Sequence, residues 1–215
     1  MAAASARDAG MEEVELRPGW LAAEPASRLL QALAAGIDWQ VHRIHLFGRW
    51  VDSPRLSCWI GDAGARYRYS GVGFDPQPWP PALAEVRGRL ARELGVPFDS
   101  VLANLYRDGH DAMGWHSDDE PELGPAPVIA SLSLGAARRF VLRRRDDHRV
   151  RREFVLEAGS LLVMRGRCQT DWQHALPRTR RPVDARINLT FRRVLGGEDR
   201  LPEEASRGAE VAAGD

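Results

Sequence analysis

Arg186-Ile187-Asn188-Leu189-Thr190-Phe191-Arg192 alternates polar and apolar side chains without a break. Alternation with period 2 marks a β-strand. It places Arg186, Asn188, Thr190 and Arg192 on one face and Ile187, Leu189 and Phe191 on the other. A strand with one solvated face shows the same pattern, and that is its commonest cause. Two guanidinium groups, an amide and a hydroxyl on one face also form a receptor for a dicarboxylate, because an arginine fork offers a carboxylate paired, charge-assisted hydrogen bonds. Upstream, in Trp172-Gln173-His174-Ala175-Leu176-Pro177, stands His174, a candidate metal ligand.

Further upstream, the stretch from Asn104 to Glu120 contains His116-Ser117-Asp118, preceded by Asn104-Leu105-Tyr106. If 104–106 is strand, Asn104 and Tyr106 share a face; His116 and Asp118, also two apart, do the same on a locally extended backbone. One imidazole and one carboxylate are two thirds of a facial triad for non-haem Fe(II), and His174 supplies the third donor. A His-x-Asp pair alone is as readily a solvated loop. Combined in this order with the Arg-x-Asn-x-Thr-x-Arg strand, it is the pattern expected of an Fe(II), 2-oxoglutarate-dependent oxygenase on a double-stranded β-helix.

The remaining chain agrees with such a core. Pro25 followed by Leu29, Leu30 and Leu33, stopped by Gly36, predicts a short amphipathic helix. Trp39 to Phe47 reads as extended, and Gly48, Pro54, Gly61 and Gly64 predict a loop-rich region up to Tyr67. Tyr67-Arg68-Tyr69 is a short strand, and Pro76 to Pro81 an extended connector. Leu83, Val86, Leu90 and Leu94 form a helical stripe with Gly95 as the stop, predicting a helix that covers one face of a sheet. Short β-type segments follow at 101–106, 128–134, 139–144, 151–156, 160–164 and 186–192, so the fold class is α+β: a jelly-roll core with N-terminal helices packed on one sheet.

At 215 residues with 44% hydrophobic residues, the chain is expected to hold one domain. Its span is 16–195, flanked by disordered tails at 1–15 and 196–215, with the core at about 100–193. No basic patch followed by an apolar run opens the chain, and no apolar run reaches the length needed to span a bilayer, so neither a leader nor a membrane association is expected. Two cysteines without Cys-x-x-Cys spacing argue against a disulfide scaffold or a zinc site and suit a reducing, intracellular, cytoplasmic setting. Net charge is zero, which argues against nucleic-acid binding by bulk charge alone. All 30 basic side chains are arginine, and eight of them crowd between Arg138 and Arg152, as either a phosphate-binding hairpin or a solvated one.

Beyond these patterns, the chain from about Phe47 to Arg193 resembles the AlkB-type dealkylating dioxygenases, and most closely their DNA-repair branch. The resemblance is carried by Tyr67-Arg68-Tyr69-Ser70-Gly71, Asn104-Leu105-Tyr106, His116-Ser117-Asp118-Asp119-Glu120, Ala130 to Ala136, Gly159 to Met164 and Arg186 to Arg192. It implies that His116, Asp118 and His174 hold Fe(II). It implies that Arg186, helped by Tyr106 and Asn188, binds the distal carboxylate of 2-oxoglutarate, while Arg192 and Asn104 lie nearer the metal-bound carboxylate and Thr190 shares their face. A nucleotide-recognition part is implied at about 40–80: Phe47-Gly48-Arg49 as a hairpin tip that fills the gap left by a flipped base, and Tyr67, Arg68 and Tyr69 as base contacts. The ring of His116 would close the other side of the base, and Asp119 would contact its exocyclic amino group.

The implied reaction is oxidative removal of alkyl groups from base nitrogens such as N1 of adenine or N3 of cytosine in DNA, releasing formaldehyde, succinate and CO2. The protein is expected to act as a monomer. Tyr69 stands where duplex-acting relatives commonly have phenylalanine, and no lysine-rich patch is present. The same chemistry on RNA is the nearest alternative. A catalytically silent nucleic-acid-binding module and an oxygenase acting on protein or lipid are further ones.

Overall fold

The computed structural model describes residues 13–46, 49–65, 67–69, 72–74 and 76–195. Within these, two antiparallel sheets face one another, as a double-stranded β-helix requires, and two longer helices cover the outside of the larger one. The helices are α1 (Ala23–Gly36) and α2 (Pro81–Leu94). The predicted stripe of α2 is the buried one: Leu83, Val86 and Leu90 face the sheet, each side chain contributing about 1.5–3 kcal/mol by leaving water. Pro81 starts this helix, where its missing N–H costs nothing, and Gly95 ends it at φ 68 with its N–H on Ala91 O.

The larger sheet has the order β1-β11-β8-β13-β6-β3-β2, formed by β1 (Val14–Arg17), β2 (Gln40–Leu46), β3 (Arg49–Gly61), β6 (Ser100–Tyr106), β8 (Ile129–Gly135), β11 (Leu161–Met164) and β13 (Arg186–Arg192). The smaller sheet runs β10-β9-β12-β7, from β7 (Met113–His116), β9 (Arg138–Arg144), β10 (Arg151–Leu156) and β12 (Trp172–Leu176). A separate hairpin pairs β4 (Tyr67–Tyr69) with β5 (Val72–Phe74). A short α3 (Cys168–Asp171) leads into β12.

Two corrections to the sequence-based expectations follow. The region expected to be loop up to Tyr67 is mostly β3, a 13-residue strand. Pro54 is tolerated there because residues 53–55 form a bulge opposite His42, where the pairing with β2 shifts register, and a bulge needs no donor from proline. The tail expected to run through residue 15 gives way earlier to β1: Val14 and Glu15 pair with Met164 and Val163, and this short strand covers the edge of β11. The other parts of the expected tails, 1–12 and 196–215, lie outside the described residues.

Cores lie on both sides of the large sheet. Ile187, Leu189 and Phe191 pack with Val101, Ala103, Leu132 and Leu134 beneath α1 and α2. Between the sheets, Ile129, Phe140, Leu142, Leu162, Met164 and Trp172 form a second cluster at one end. The other end of that space is polar.

A candidate metal centre beside an anion pocket

Strand register builds the polar end row by row. Across the large sheet, Ser57 faces Asn104, Asn104 faces Asn188, and Asn188 faces Ser133. The next inward row places Tyr106 beside Arg186. The inward face of β13 therefore carries Arg186, Asn188, Thr190 and Arg192, as its alternation predicts, but the face is not solvated: all seven residues of the strand are buried. These four residues line one cavity together with Asn104, Tyr106, His116, Asp118 and His174, and with apolar walls from Leu102, Met113, Phe140, Met164 and Leu176.

The small sheet supplies the metal donors. His116 ends β7 and faces His174 on β12 across the strand pair, their rings 4.2 Å apart between centroids. Asp118 follows just beyond β7, its N–H donating to Gln169 Oε1. One ligand atom from each of His116, Asp118 and His174 lies within 4.8 Å of the others, and among the described residues this is the group of acidic, imidazole or thiol side chains close enough to hold a metal. Asp118 and His174 are buried, whereas His116 is half-buried, so the cluster is approached from the His116 side. The His116 Nδ1 is 2.8 Å from Gly114 O, which makes it the N–H donor and leaves Nε2 facing Asp118 Oδ1 at 4.0 Å.

Electrostatics favour the ligating forms. Burial pushes the His174 imidazole down to about 3, with the fields of His116 and Arg192 adding to the effect; burial lowers His116 too. Both rings are neutral at neutral pH, as metal ligation needs. Burial alone raises the Asp118 carboxyl, but the fields of Arg192, His174 and His116 outweigh it and hold the group well below the usual carboxylate range. Arg192 donates directly to Asp118 Oδ1 at 2.7 Å, both residues buried.

Arg186 is in a different situation. It is 1% exposed, and its Nη2 donates to Ser133 Oγ at 2.9 Å and Asn188 Oδ1 at 2.7 Å. Its Nε and Nη1 have no hydrogen-bond partner, and its acceptors are neutral. Burial pushes the guanidinium down to about 10, still cationic at neutral pH. A buried cation with two unused donors aimed at a cavity fits an arriving carboxylate. The Tyr106 ring lies 5.3 Å from its charge centre. His174 Nδ1 is likewise buried without a partner. Two imidazoles and a carboxylate converge at one end of the cavity and an uncompensated guanidinium stands at the other, so the donor set fits Fe(II) and the pocket fits a dicarboxylate.

Some of the expected residues already have partners within the protein. The amide of Asn188 is engaged within the protein: Oδ1 accepts from Arg186 and Ser131, and Nδ2 donates one N–H to Thr190 Oγ1, so it orients Arg186. Asp119 is exposed and pairs with Arg145 at 2.9 Å. Arg49 opens β3 and Tyr67, Arg68 and Tyr69 form β4, while Phe47 and Gly48 lie outside the described residues. Sequence reading missed Arg55 and Ser53, buried behind Asn104, because β3 was expected to be loop. It also missed Ser131 and Ser133, although their alternation with Leu132 and Leu134 was visible.

Residues 13–192 match the model of the 2OG-Fe(II) oxygenase superfamily. The chain is 36% identical over 206 residues to the rat alpha-ketoglutarate-dependent dioxygenase alkB homolog 3, covering 92% of this chain and 69% of that one. It is 42% identical over 160 residues to the mouse DNA oxidative demethylase ALKBH2, covering 71% and 67%. The solved structure described as OsALKBH1 superposes with a TM-score of 0.59 at 16% identity, over 84% of this chain and 98% of that one, a likeness of fold.

Proposed function

The chain belongs to the 2OG-Fe(II) oxygenase superfamily, among its AlkB-type members, and from that premise we propose that it oxidatively dealkylates N-alkylated bases in DNA. The observation that carries this reading is the pairing of the His116–Asp118–His174 cluster with the buried, half-used guanidinium of Arg186 in one cavity. DNA is favoured over RNA because a relative at 42% identity is a DNA oxidative demethylase.

His116, Asp118 and His174 would hold Fe(II), which with 2-oxoglutarate and O2 would supply the oxidation of an N-methyl group to a hydroxymethyl that leaves as formaldehyde, with succinate and CO2 as co-products. The protein's own residues do the rest. Arg186 receives the distal carboxylate on a donor nitrogen the protein leaves unused, Nε or Nη1. Arg192 keeps the Asp118 carboxylate ionised and fixed in direction. Phe140, Leu102 and Met113 line the cavity with apolar surface that keeps bulk water from the reacting groups. A base must leave its stack to reach this site, and a lesion that cannot pair lowers that cost of a few kcal/mol. Phe47, Gly48, Arg49, Tyr67, Arg68 and Tyr69 are assigned to receiving it, with Asp119 reading the exocyclic amino group in exchange for its contact with Arg145. Two buried free thiols suit a monomer working in a reducing cell interior, and no helix among the described residues is long and apolar enough to cross a membrane.

The test is formaldehyde release from matched DNA and RNA oligonucleotides carrying 1-methyladenine or 3-methylcytosine. Release from DNA, abolished by His116→Ala, is the expected result. A strong preference for RNA would overturn the choice of substrate, and His116→Ala protein that still released formaldehyde would overturn the metal assignment.

A further inference from the structure

β3 turns Ser53, Arg55 and Ser57 inward, and all three are buried. Arg55 is 4% exposed, yet its hydrogen-bond partners are both neutral: Nε donates to Asn104 Oδ1 at 2.7 Å and Nη1 to Ser53 Oγ at 2.8 Å. The bulge around Pro54 allows this placement, and Ala112 N–H pins it by donating to Pro54 O at 3.1 Å. A buried cation held on neutral acceptors is costly unless it does something for the residue it holds.

What it holds is an amide with two unlike ends. A guanidinium offers donors only, and a carboxamide has one acceptor end and one donor end. Arg55 therefore admits a single orientation of Asn104: Oδ1 toward β3, Nδ2 toward the cavity that Asn104 lines. Among the described residues no hydrogen bond engages Asn104 Nδ2, whereas Asn188, its neighbour across the strand pair, has both amide ends taken up. Of two adjacent asparagines, one is hydrogen-bonded to the protein at both amide ends and the other is held by its oxygen alone, with its donor end outward.

We propose that Arg55 is a positioning residue of the co-substrate site, locking Asn104 so that its NH2 donates to a carboxylate oxygen of 2-oxoglutarate. This rests on the reading of the cavity as a 2-oxoglutarate site. Without Arg55 the amide is free to turn its oxygen toward the cavity, where it repels a carboxylate. With it, residue 104 is a fixed donor. The buried charge of Arg55 also gains an anion nearby when the co-substrate binds.

The experiment is calorimetric titration of 2-oxoglutarate into Mn(II)-loaded full-length protein, with Mn(II) affinity and the unfolding midpoint measured alongside. Arg55→Met is expected to weaken 2-oxoglutarate binding by about tenfold, the worth of one hydrogen bond to a charged group, with Mn(II) affinity unchanged. Arg55→Lys keeps a donor-only cation and should restore affinity to within about threefold of the parent. In an Asn104→Ala background, Arg55→Met should change affinity by less than about twofold, because the two residues act as one unit. Equal effects of Arg55→Met with and without Asn104 would overturn the proposal, as would parent-like 2-oxoglutarate affinity in Arg55→Met. If Arg55→Met does not fold, Asn104→Asp decides: it keeps Arg55 paired but replaces the donor with an anion, and undiminished 2-oxoglutarate affinity in that variant overturns the proposal equally. Parent protein that bound no 2-oxoglutarate at all would instead overturn the functional reading beneath it.

Discussion

Arg186 and Arg192 share a strand face but stand in opposite electrostatic states. Arg192 is neutralised by Asp118 at 2.7 Å, while Arg186 sits among a hydroxyl and an amide oxygen. Replacing Arg186 by Met should therefore separate ligand binding from stability. The affinity for 2-oxoglutarate should fall by about one and a half to three and a half orders of magnitude, corresponding to the about 2–5 kcal/mol of a truncated buried ion pair. Urea unfolding of the ligand-free protein should show no loss of stability, because the substitution removes a desolvated charge with no counter-ion. The two cysteines give a second residue-scale prediction. Burial pushes the Cys58 thiol up to about 11 and Cys168 up to about 12, from an ordinary value of 9.0. Both should resist alkylation at pH 8 in the native protein. Above pH 9 the unfolded chain loses these protons while the folded one keeps them, so stability falls as pH rises, by about 1.4 kcal/mol per pH unit for each thiol. Unfolding at pH 8, 9 and 10 should show this slope in the parent and a flatter one in Cys58→Ala/Cys168→Ala.

Among the elements, the end of β8 closely approaches the residue before β13 where the site begins. Gly135 has φ +81, and a Cβ there would lie 2.4 Å from Ala185 O, the carbonyl just before Arg186. Gly135→Ala should cost about 1–3 kcal/mol in unfolding free energy and weaken 2-oxoglutarate binding as well, since the strain must move the start of β13. The elements legible in the sequence were those whose own periodicity carries the information. The stripe of α2 and the alternation of β13 predicted both type and buried face. Those that escaped depend on distant partners. β7 is four residues including Gly114 and β12 is five; β7 is a strand because β12 pairs to it, and β12 because it lies between β7 and β9. β3 escaped because Pro54 reads as a breaker unless the bulge is known. The same division governs the site. His116, Asp118, His174, Arg186 and Arg192 were found from their chemistry and order, whereas Arg55 was invisible while its strand was taken for loop. The hydrogen bonds of Asn188 to Arg186, Ser131 and Thr190 could not be read from the sequence, which shows that Arg186, Asn188 and Thr190 share a face but not the register that brings Ser131 of β8 beside them.

For the whole molecule, the ligands of the proposed reaction bridge the two sheets. His116 and His174 come from the small sheet, and Arg186 and Arg192 from the large one. Metal and co-substrate should accordingly stabilise the fold cooperatively. The unfolding midpoint with Mn(II) and 2-oxoglutarate together should exceed the sum of the separate shifts, and differential scanning calorimetry measures all three; strictly additive shifts would argue that the two ligands do not share a wall. The surface carries less free charge than 30 arginines suggest. In the β9–β10 hairpin Arg139 pairs with Glu153, Arg144 with Asp146 and Arg149 with Asp147. Contact with a polyanion there means exchanging partners rather than filling an empty basic patch.

β13 has a further consequence for how the protein tolerates change. Its seven residues serve two masters in strict alternation, cavity on one side and helix-covered core on the other, with no position left over. A comprehensive substitution scan read only by enzyme turnover should show one unbroken intolerant block from 186 to 192. The same library read by cellular abundance should resolve that block into a comb: depletion concentrated at 187, 189 and 191, with relative permissiveness at 186. The strand would thus record selection for folding and selection for chemistry as two interleaved signals.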